Sequence, residues 1–161
     1  MKTRVNDLLN HKTREDIFRF IQINPGVHLR GLQRHLNLPL STIDHHTKVL
    51  CSNSLLCRYR DGKYSRFYAG KIDEEAHLIV SALRKKRKKE IIATILSRDY
   101  TTFQDMVECI RVNDSTLSYH LGGLVDDGII YKEKVGKEYC YFLNKRDDVS
   151  HLLAKIRSLD Y

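Results

Sequence analysis

Pro39-Leu40-Ser41-Thr42-Ile43-Asp44-His45-His46-Thr47-Lys48-Val49-Leu50 returns 74 residues later as Asn113-Asp114-Ser115-Thr116-Leu117-Ser118-Tyr119-His120-Leu121-Gly122-Gly123-Leu124. The match extends outward without a gap. Upstream, Ile17 meets Ile91, Phe18 meets Ile92, Ile21 meets Ile95, Leu29 meets Phe103, Leu32 meets Met106, Leu36 meets Ile110 and Leu38 meets Val112. Downstream, Leu55-Leu56 meets Ile129-Ile130, Gly62-Lys63 meets Gly136-Lys137, and Phe67-Tyr68 meets Tyr141-Phe142. Apolar positions, turn glycines and one histidine stay in register, which marks two copies of one structural unit.

Each copy reads as the same series of elements. Apolar residues at helical spacing predict a helix over 13–23 and again over 86–98, the first stopped by Asn24-Pro25-Gly26. A short helix follows at 28–36 and 102–110, then a turn of three to four residues. A third helix runs from near Pro39 to about Asn53, and from Asn113, a good N-cap, to about Asp127, with Gly128 as its stop. Strands are expected at Leu55–Arg60 with Lys63–Ala69, and at Ile129–Lys134 with Lys137–Leu143, joined at Asp61-Gly62 and Val135-Gly136. Helix, helix, turn, helix, β-hairpin is the winged helix-turn-helix order. The expected fold is therefore mainly α with small β-hairpins (α+β), as two tandem winged helix-turn-helix domains over 1–70 and 86–161, joined by a helical linker over 71–85. Ile72, Ala76, Ile79 and Leu83 give that linker an apolar edge, and no breaker separates it from Ile91, so one long helix is expected through both segments. A terminal helix carries Val149, Leu152, Leu153, Ile156 and Leu159.

Charge points to an anionic partner. The net charge is +8 with a pI near 9.4, but residues 1–70 hold twelve basic groups against five acidic ones, a net of +7. The run Arg84-Lys85-Lys86-Arg87-Lys88-Lys89 adds +6, whereas residues 98–161 hold nine basic and eleven acidic groups, a net of −2. The cationic footprint belongs to the first copy and the central run. No apolar run reaches the roughly 18 residues of a membrane span, and Met1–Asp7 has no secretory stretch, so a soluble cytoplasmic protein is expected, with no membrane partner. Cys51, Cys57, Cys109 and Cys140 form no C-x-x-C pair and read as packed or half-buried thiols, although Cys51 and Cys57 lie near His45 and His46 in sequence. Neither a metal nor a cofactor is expected.

A helix-turn-helix reads DNA by laying its second helix in the major groove. Ile43 and Leu50 mark the inward face of the first such helix, with His46/Thr47 between them, leaving Ser41, Thr42, Asp44, His45 and Lys48 outward. In the second, Leu117, His120/Leu121 and Leu124 face inward, leaving Asp114, Ser115, Thr116, Ser118 and Tyr119 outward. Hydroxyls near a helix start bond phosphates or base edges, and also satisfy backbone. His46 and His120 read as packed histidines. The first wing holds Arg58, Arg60, Lys63 and Arg66 around Tyr59 and Tyr64, with several cations expected on one face. The second holds Lys132, Lys134 and Lys137 against Glu133 and Glu138. Arg84, Lys85, Lys86, Arg87, Lys88 and Lys89 are expected to ring two exposed helical turns and meet the DNA backbone.

The segments Pro25-Gly26-Val27-His28-Leu29-Arg30-Gly31-Leu32, Leu40-Ser41-Thr42-Ile43-Asp44-His45-His46 and Asp61-Gly62-Lys63-Tyr64-Ser65-Arg66-Phe67-Tyr68 resemble ArsR-like winged-helix regulators, especially archaeal ones. Ser115-Thr116-Leu117-Ser118-Tyr119-His120-Leu121 is similar to that family's recognition helix. The resemblance covers residues 13–69 and 86–143. It implies major-groove contacts from Ser41, Thr42, Asp44, His45, Ser115, Thr116, Ser118 and Tyr119. The cysteine motif of metal-sensing members is not matched. Flanking helices form the family's dimer interface, which implies a homodimer through the terminal or linker helices; tandem copies equally supply two reading heads to one chain.

No P-loop, H-E-x-x-H, G-x-S-x-G or Rossmann glycine pattern is present, so an enzyme is not expected. The leading expectation is a sequence-specific double-stranded DNA-binding transcription regulator, with the transcription machinery as a further partner. The alternative is a protein-interaction winged-helix module within a transcription or nucleic-acid-processing complex, which the near-neutral second copy favours. RNA binding ranks below both, because the sheet is too small for a base-stacking platform.

Overall fold

In the computed structural model, which describes residues 8–156, the Asn24-Pro25-Gly26 breaker ends α1 (Lys12–Ile23) and turns the chain into β1 (Val27–His28). The helix-turn-helix follows as α2 (Leu29–Leu36) and α3 (Leu40–Ser52), and the wing as β2 (Leu56–Asp61) and β3 (Tyr64–Ala69). After α4 (Glu74–Leu83) the order repeats: α5 (Lys86–Leu96), β4 (Thr101–Thr102), α6 (Phe103–Ile110), α7 (Asp114–Asp126), β5 (Ile130–Val135) and β6 (Glu138–Leu143), then α8 (Arg146–Lys155). The chain divides into two compact units: among the described residues, 8–77 with Lys155 and Ile156 form the first and Leu78–Ala154 the second, so the main boundary falls inside α4. Leu159 and Met1–Asp7, which entered the sequence reading, lie outside the described residues. None of the described helices is long and apolar enough to cross a membrane.

The first core is the apolar set that the repeat predicts. Ile17 and Ile21 from α1, Val27, Leu32, Ile43, Leu50, Leu56 and Phe67 are buried as one cluster. In the second unit Ile91, Ile95, Met106, Leu117, Leu124 and Ile130 are buried at the corresponding positions. Fully burying a side chain of this kind stabilises a fold by about 1.5–3 kcal/mol, so six to eight of them hold each small unit together.

Each wing gains a strand that the sequence reading lacked. β1 pairs antiparallel with β3 through Val27↔Phe67 and His28↔Arg66, giving sheet order β1-β3-β2. β4 pairs likewise with β6 through Thr101↔Tyr141, giving β4-β6-β5. The hairpins turn on Gly62 and Gly136, at φ +57° and +65°, and Asp61↔Tyr64 and Val135↔Glu138 are the last pairs. Asp61 and Val135 are thus strand residues, one position later than expected.

Helix ends explain the turns. His28 Nδ1 accepts from Gly31 N–H at 2.9 Å to cap α2, and Thr102 with Asp105 forms a reciprocal capping box on α6. Asn37 and Arg111 end α2 and α6 in the left-handed region, at φ 52° and 54°. The chain leaves α3 through Ser54 at φ 60°, with Leu55 N–H on Leu50 O at 3.0 Å. It leaves α7 through Gly128 at φ 67°, with Ile129 N–H on Leu124 O at 3.0 Å. Both are Schellman closures.

One expected element is overturned. The long helix through 72–98 is broken at Arg84–Lys85, where Lys85 has extended backbone (φ −100°, ψ 114°) and caps α5. Six adjacent cations repel one another at spacings of three and four residues, which disfavours continuous helix through the run.

Candidate nucleic-acid interface

On α3, Ile43, His46, Thr47 and Leu50 are buried, while Ser41, His45 and Lys48 are exposed and Thr42 and Asp44 half-exposed. Spacing of three and four residues places Ser41, Asp44/His45 and Lys48 on one outward stripe. Lys48 Nζ lies 2.6 Å from Asp44 Oδ2 across one helical turn. His46 packs beneath this stripe, accepting at Nδ1 from Arg14 Nε at 3.5 Å, with the His11 ring 4.8 Å and the His45 ring 5.2 Å away. Burial, then neighbouring His11, Arg14 and His45, holds its imidazole below the usual value, so it is a neutral acceptor at pH 7. His46 is therefore a packing residue, and His45 is the histidine on the surface.

On α7 the inward residues Leu117, Leu121 and Leu124 are buried. Asp114, Ser115, Ser118, Tyr119 and Gly122 are exposed, Tyr119 at 77%, and Thr116 is half-exposed. Asn113 caps the helix by accepting from Thr116 N–H at 2.8 Å, and Ser115 Oγ donates to the same oxygen at 3.0 Å. The second stripe is neutral where the first is charged: Ser118 and Gly122 stand where Asp44 and Lys48 stand.

The strand register sorts the first wing's cations onto two faces. Arg58 opposes Phe67 and Arg60 opposes Ser65 on one face, whereas Tyr59↔Arg66 and Asp61↔Tyr64 belong to the other. Arg58, Arg60 and the turn residue Lys63 are exposed. Arg66 is not: its side chain is 5% exposed, Nε donates to Asp61 Oδ2 at 2.6 Å, and Nη1 donates to Gly26 O at 2.8 Å. The expectation that Arg66 meets DNA is corrected, because its donors are committed inside the sheet. The same face is closed further on: Tyr59 stacks on His77 at 4.4 Å and donates to Ile72 O at 2.9 Å, and Tyr68 Oη lies 2.7 Å from His77 Nδ1. Packing thus occupies the Tyr59/Arg66/Tyr68 face, while on the other face Leu56 and Phe67 join the core and Arg58 and Arg60 stay in solvent.

In the second wing, Lys132↔Tyr141 and Lys134↔Tyr139 share a face, and Lys132 Nζ lies 5.4 Å from the Tyr139 ring centre. Lys137 is exposed at the turn. Glu133 pairs with Cys140 and Glu138 with Val135 on the opposite face, so the glutamates do not sit among the lysines they were expected to offset.

The central run divides in the same way. Lys85 and Lys86 are exposed, and Arg84, Arg87 and Lys89 are half-buried, with Arg87 Nη1 on Glu90 Oε2 at 2.8 Å. Lys88 is buried, donating to Asp127 Oδ2 at 2.7 Å and to Gly123 O at 3.2 Å. A Cβ on Gly123 would stand 3.2 Å from Lys88 Nζ, so the glycine makes room for the ammonium. Lys88 is therefore a cation at the C-terminal end of α7, where the helix dipole favours it, and not an exposed contact. The ring of exposed cations is corrected accordingly. Helical spacing is the signal that could have shown this, since Lys88 lies three, four and seven residues before the buried Ile91, Ile92 and Ile95.

Burial pushes the Cys51 and Cys57 thiols up, which keeps them protonated. Among the described residues, no group of three or more His, Cys, Asp or Glu is arranged to hold a metal ion.

Residues 11–78 match a family model described as an N-terminal HTH domain, and residues 72–146 match the C-terminal domain of SoFic-like protein adenylyltransferases. An uncharacterized HTH-type transcriptional regulator of Methanocaldococcus jannaschii is 28% identical over 138 residues, covering 86% of this chain and 35% of that protein. The chain thus spans about a third of the length of this archaeal relative. The arsenical resistance operon repressor of Bacillus subtilis is 36% identical over 74 residues, covering 46% of this chain and 70% of the repressor. Among solved structures, the transcriptional repressor BigR from Xylella fastidiosa is similar at a TM-score of 0.45 and 20% identity, over 50% of this chain and 81% of that one.

Proposed function

The chain belongs to the ArsR-like winged helix-turn-helix transcription regulators, and from that premise we propose that it binds double-stranded DNA by sequence, with α3 in a major groove and the Arg58/Arg60/Lys63 wing on the adjoining backbone or minor groove. The observation that carries this is the sorting of charge in the first unit. Arg66 and one face of the wing are used in packing, while Arg58, Arg60, Lys63 and the outward stripe of α3 stay in solvent. In the second unit, Lys85 and Lys86 are exposed and supply further cations for phosphates. The second unit contributes Ser115, Thr116, Ser118 and Tyr119 on α7 and Lys132, Lys134 and Lys137 on its wing, with less net positive charge behind them.

The test is selection of bound fragments from a random duplex library by the full chain at moderate salt, read by sequencing. Enrichment of a defined motif is expected. Absence of binding even at low salt would refute the reading. Arg60→Ala combined with Lys63→Ala should weaken binding on every sequence and lower the steepness of the salt dependence by about 2, at roughly 0.9 per phosphate contact.

A second reading for the second unit alone, docking of a protein partner, is favoured by its exposed aromatics: Tyr100, Tyr131 and Tyr139 are 49%, 41% and 55% exposed. Binding of the isolated motif by α7 would be salt-steep in the DNA reading and absent in this one.

A further inference from the structure

We propose that Asp44 and Lys48 together read one C·G base pair, the carboxylate accepting from cytosine N4 and the ammonium donating to guanine O6 or N7. The proposal rests on α3 entering the major groove, as above. Three observations carry it. First, the pair is preformed and accessible: Lys48 Nζ and Asp44 Oδ2 are 2.6 Å apart, with side chains 67% and 38% exposed. Second, it lies on the outward stripe with Ser41 and His45, above the buried Ile43, His46, Thr47 and Leu50. Third, the other copy of the fold manages without it, since Ser118 and Gly122 take the two positions on α7.

The third observation removes a structural explanation, because an exposed pair one helical turn apart adds little to stability. A carboxylate here also works against phosphate binding. The other exposed charges proposed to meet DNA in this unit, Lys48, Arg58, Arg60 and Lys63, are cations, whereas a carboxylate suits a donor rather than a phosphate. Base edges supply such donors. The major-groove edge of a C·G pair sets the cytosine N4 amino donor beside the guanine O6 and N7 acceptors, which complements an acceptor and a donor held side by side. An A·T pair also offers a donor, at adenine N6, but its thymine methyl meets the charged groups with an apolar surface. Ser118 and Gly122 on α7 cannot make the same reading, so α3 and α7 do not read the same bases.

The experiment repeats the random-duplex selection with the full chain and with Asp44→Ala, Lys48→Ala and Asp44→Ser variants; all three change exposed positions, and unchanged circular dichroism confirms folding. The wild-type motif should contain a C·G position at which Asp44→Ala alone abolishes the preference while the other positions persist. On the selected duplex, changing that pair to T·A should cost wild type on the order of tenfold in Kd and Asp44→Ala close to nothing. Replacing its guanine by 7-deazaguanine, which lacks the N7 acceptor, should weaken wild type more than Lys48→Ala. A motif whose every position survives Asp44→Ala overturns this inference and leaves the DNA-binding function standing. Binding without any motif, or no binding by wild type at low salt, overturns both.

Discussion

Replacing Arg66 by methionine separates a structural cation from a DNA-binding one. Arg66→Met keeps the length and apolar stem of the side chain but removes the ion pair to Asp61 at 2.6 Å and the bond to Gly26 O at 2.8 Å. Breaking a buried pair from one side costs about 3–5 kcal/mol, because the remaining charge stays desolvated. The Asp61 side chain is 13% exposed and keeps some water, so the low end applies, about 3 kcal/mol. A unit of this size has roughly 4–12 kcal/mol in all, so the loss is a large share. The chain has two units and no single two-state free energy, so the assay is amide hydrogen exchange read residue by residue. Protected amides of β1 and β3, such as Gly26, which bonds to Phe67 O at 2.9 Å, should exchange on the order of 100-fold faster, at 1.4 kcal/mol per decade. Amides of β5 and β6 in the second unit should not change. Adding Asp61→Leu should recover most of the protection, since an apolar pair replaces an ion pair at little cost. Wild-type exchange in Arg66→Met together with weakened DNA binding would refute the assignment and return Arg66 to the interface.

Three further outcomes follow from the same packing. Lys88→Met should leave DNA affinity and its salt dependence unchanged, whereas Lys85→Ala with Lys86→Ala should lower both; the check is a salt titration of Kd for each variant. Acidification should destabilise the first unit. Its His46 and His28 are both held below the ordinary 6.5 chiefly by burial, so their contribution is complete above that pH and is lost as pH falls through the lower folded values; His46→Gln should make the exchange rates of α1 and α3 less pH-dependent. Tyr68→Phe deletes the hydroxyl facing His77 Nδ1 at 2.7 Å and should cost about 1–2 kcal/mol in the first unit, measured by the same exchange, and less if the imidazole finds water.

The two-copy architecture was legible because duplication imposes a check that single-copy periodicity lacks: Ile17, Ile21, Leu32, Ile43 and Leu50 had to recur in register, and all are buried. β1 and β4 were not legible, since two residues are too few for alternation to register. Arg66 was misplaced for want of the turn. Alternation alone sets Arg66 opposite Tyr59 and away from Arg58 and Arg60, but that Asp61 and Gly26 O engage it on that face shows only once the turn and β1 are folded against it. Lys88 was hidden by its neighbours, because a cation run reads as uniformly solvated, while the helix that starts at Lys86 turns Lys88 toward Asp127. The outward stripes of α3 and α7 follow directly from helical period, and exposure agrees with the expected Ser41, His45, Lys48, Ser115, Ser118 and Tyr119.

The left-handed residues at the helix ends recur 74 residues apart. Ser54 and Gly128 hold the same place in the two units, as do Asn37 and Arg111, and in each pair the backbone shape is shared while Ser54 and Arg111 are strained by it. A non-glycine residue other than Asn or Asp in this region gives up about 1–2 kcal/mol. Each unit therefore carries the repair for the other: transplanting its counterpart's residue, Ser54→Gly or Arg111→Asn, should toughen the recipient unit without touching either outward stripe. Duplicated folds that have diverged unevenly can be mined for stabilising changes by this comparison of a protein with itself.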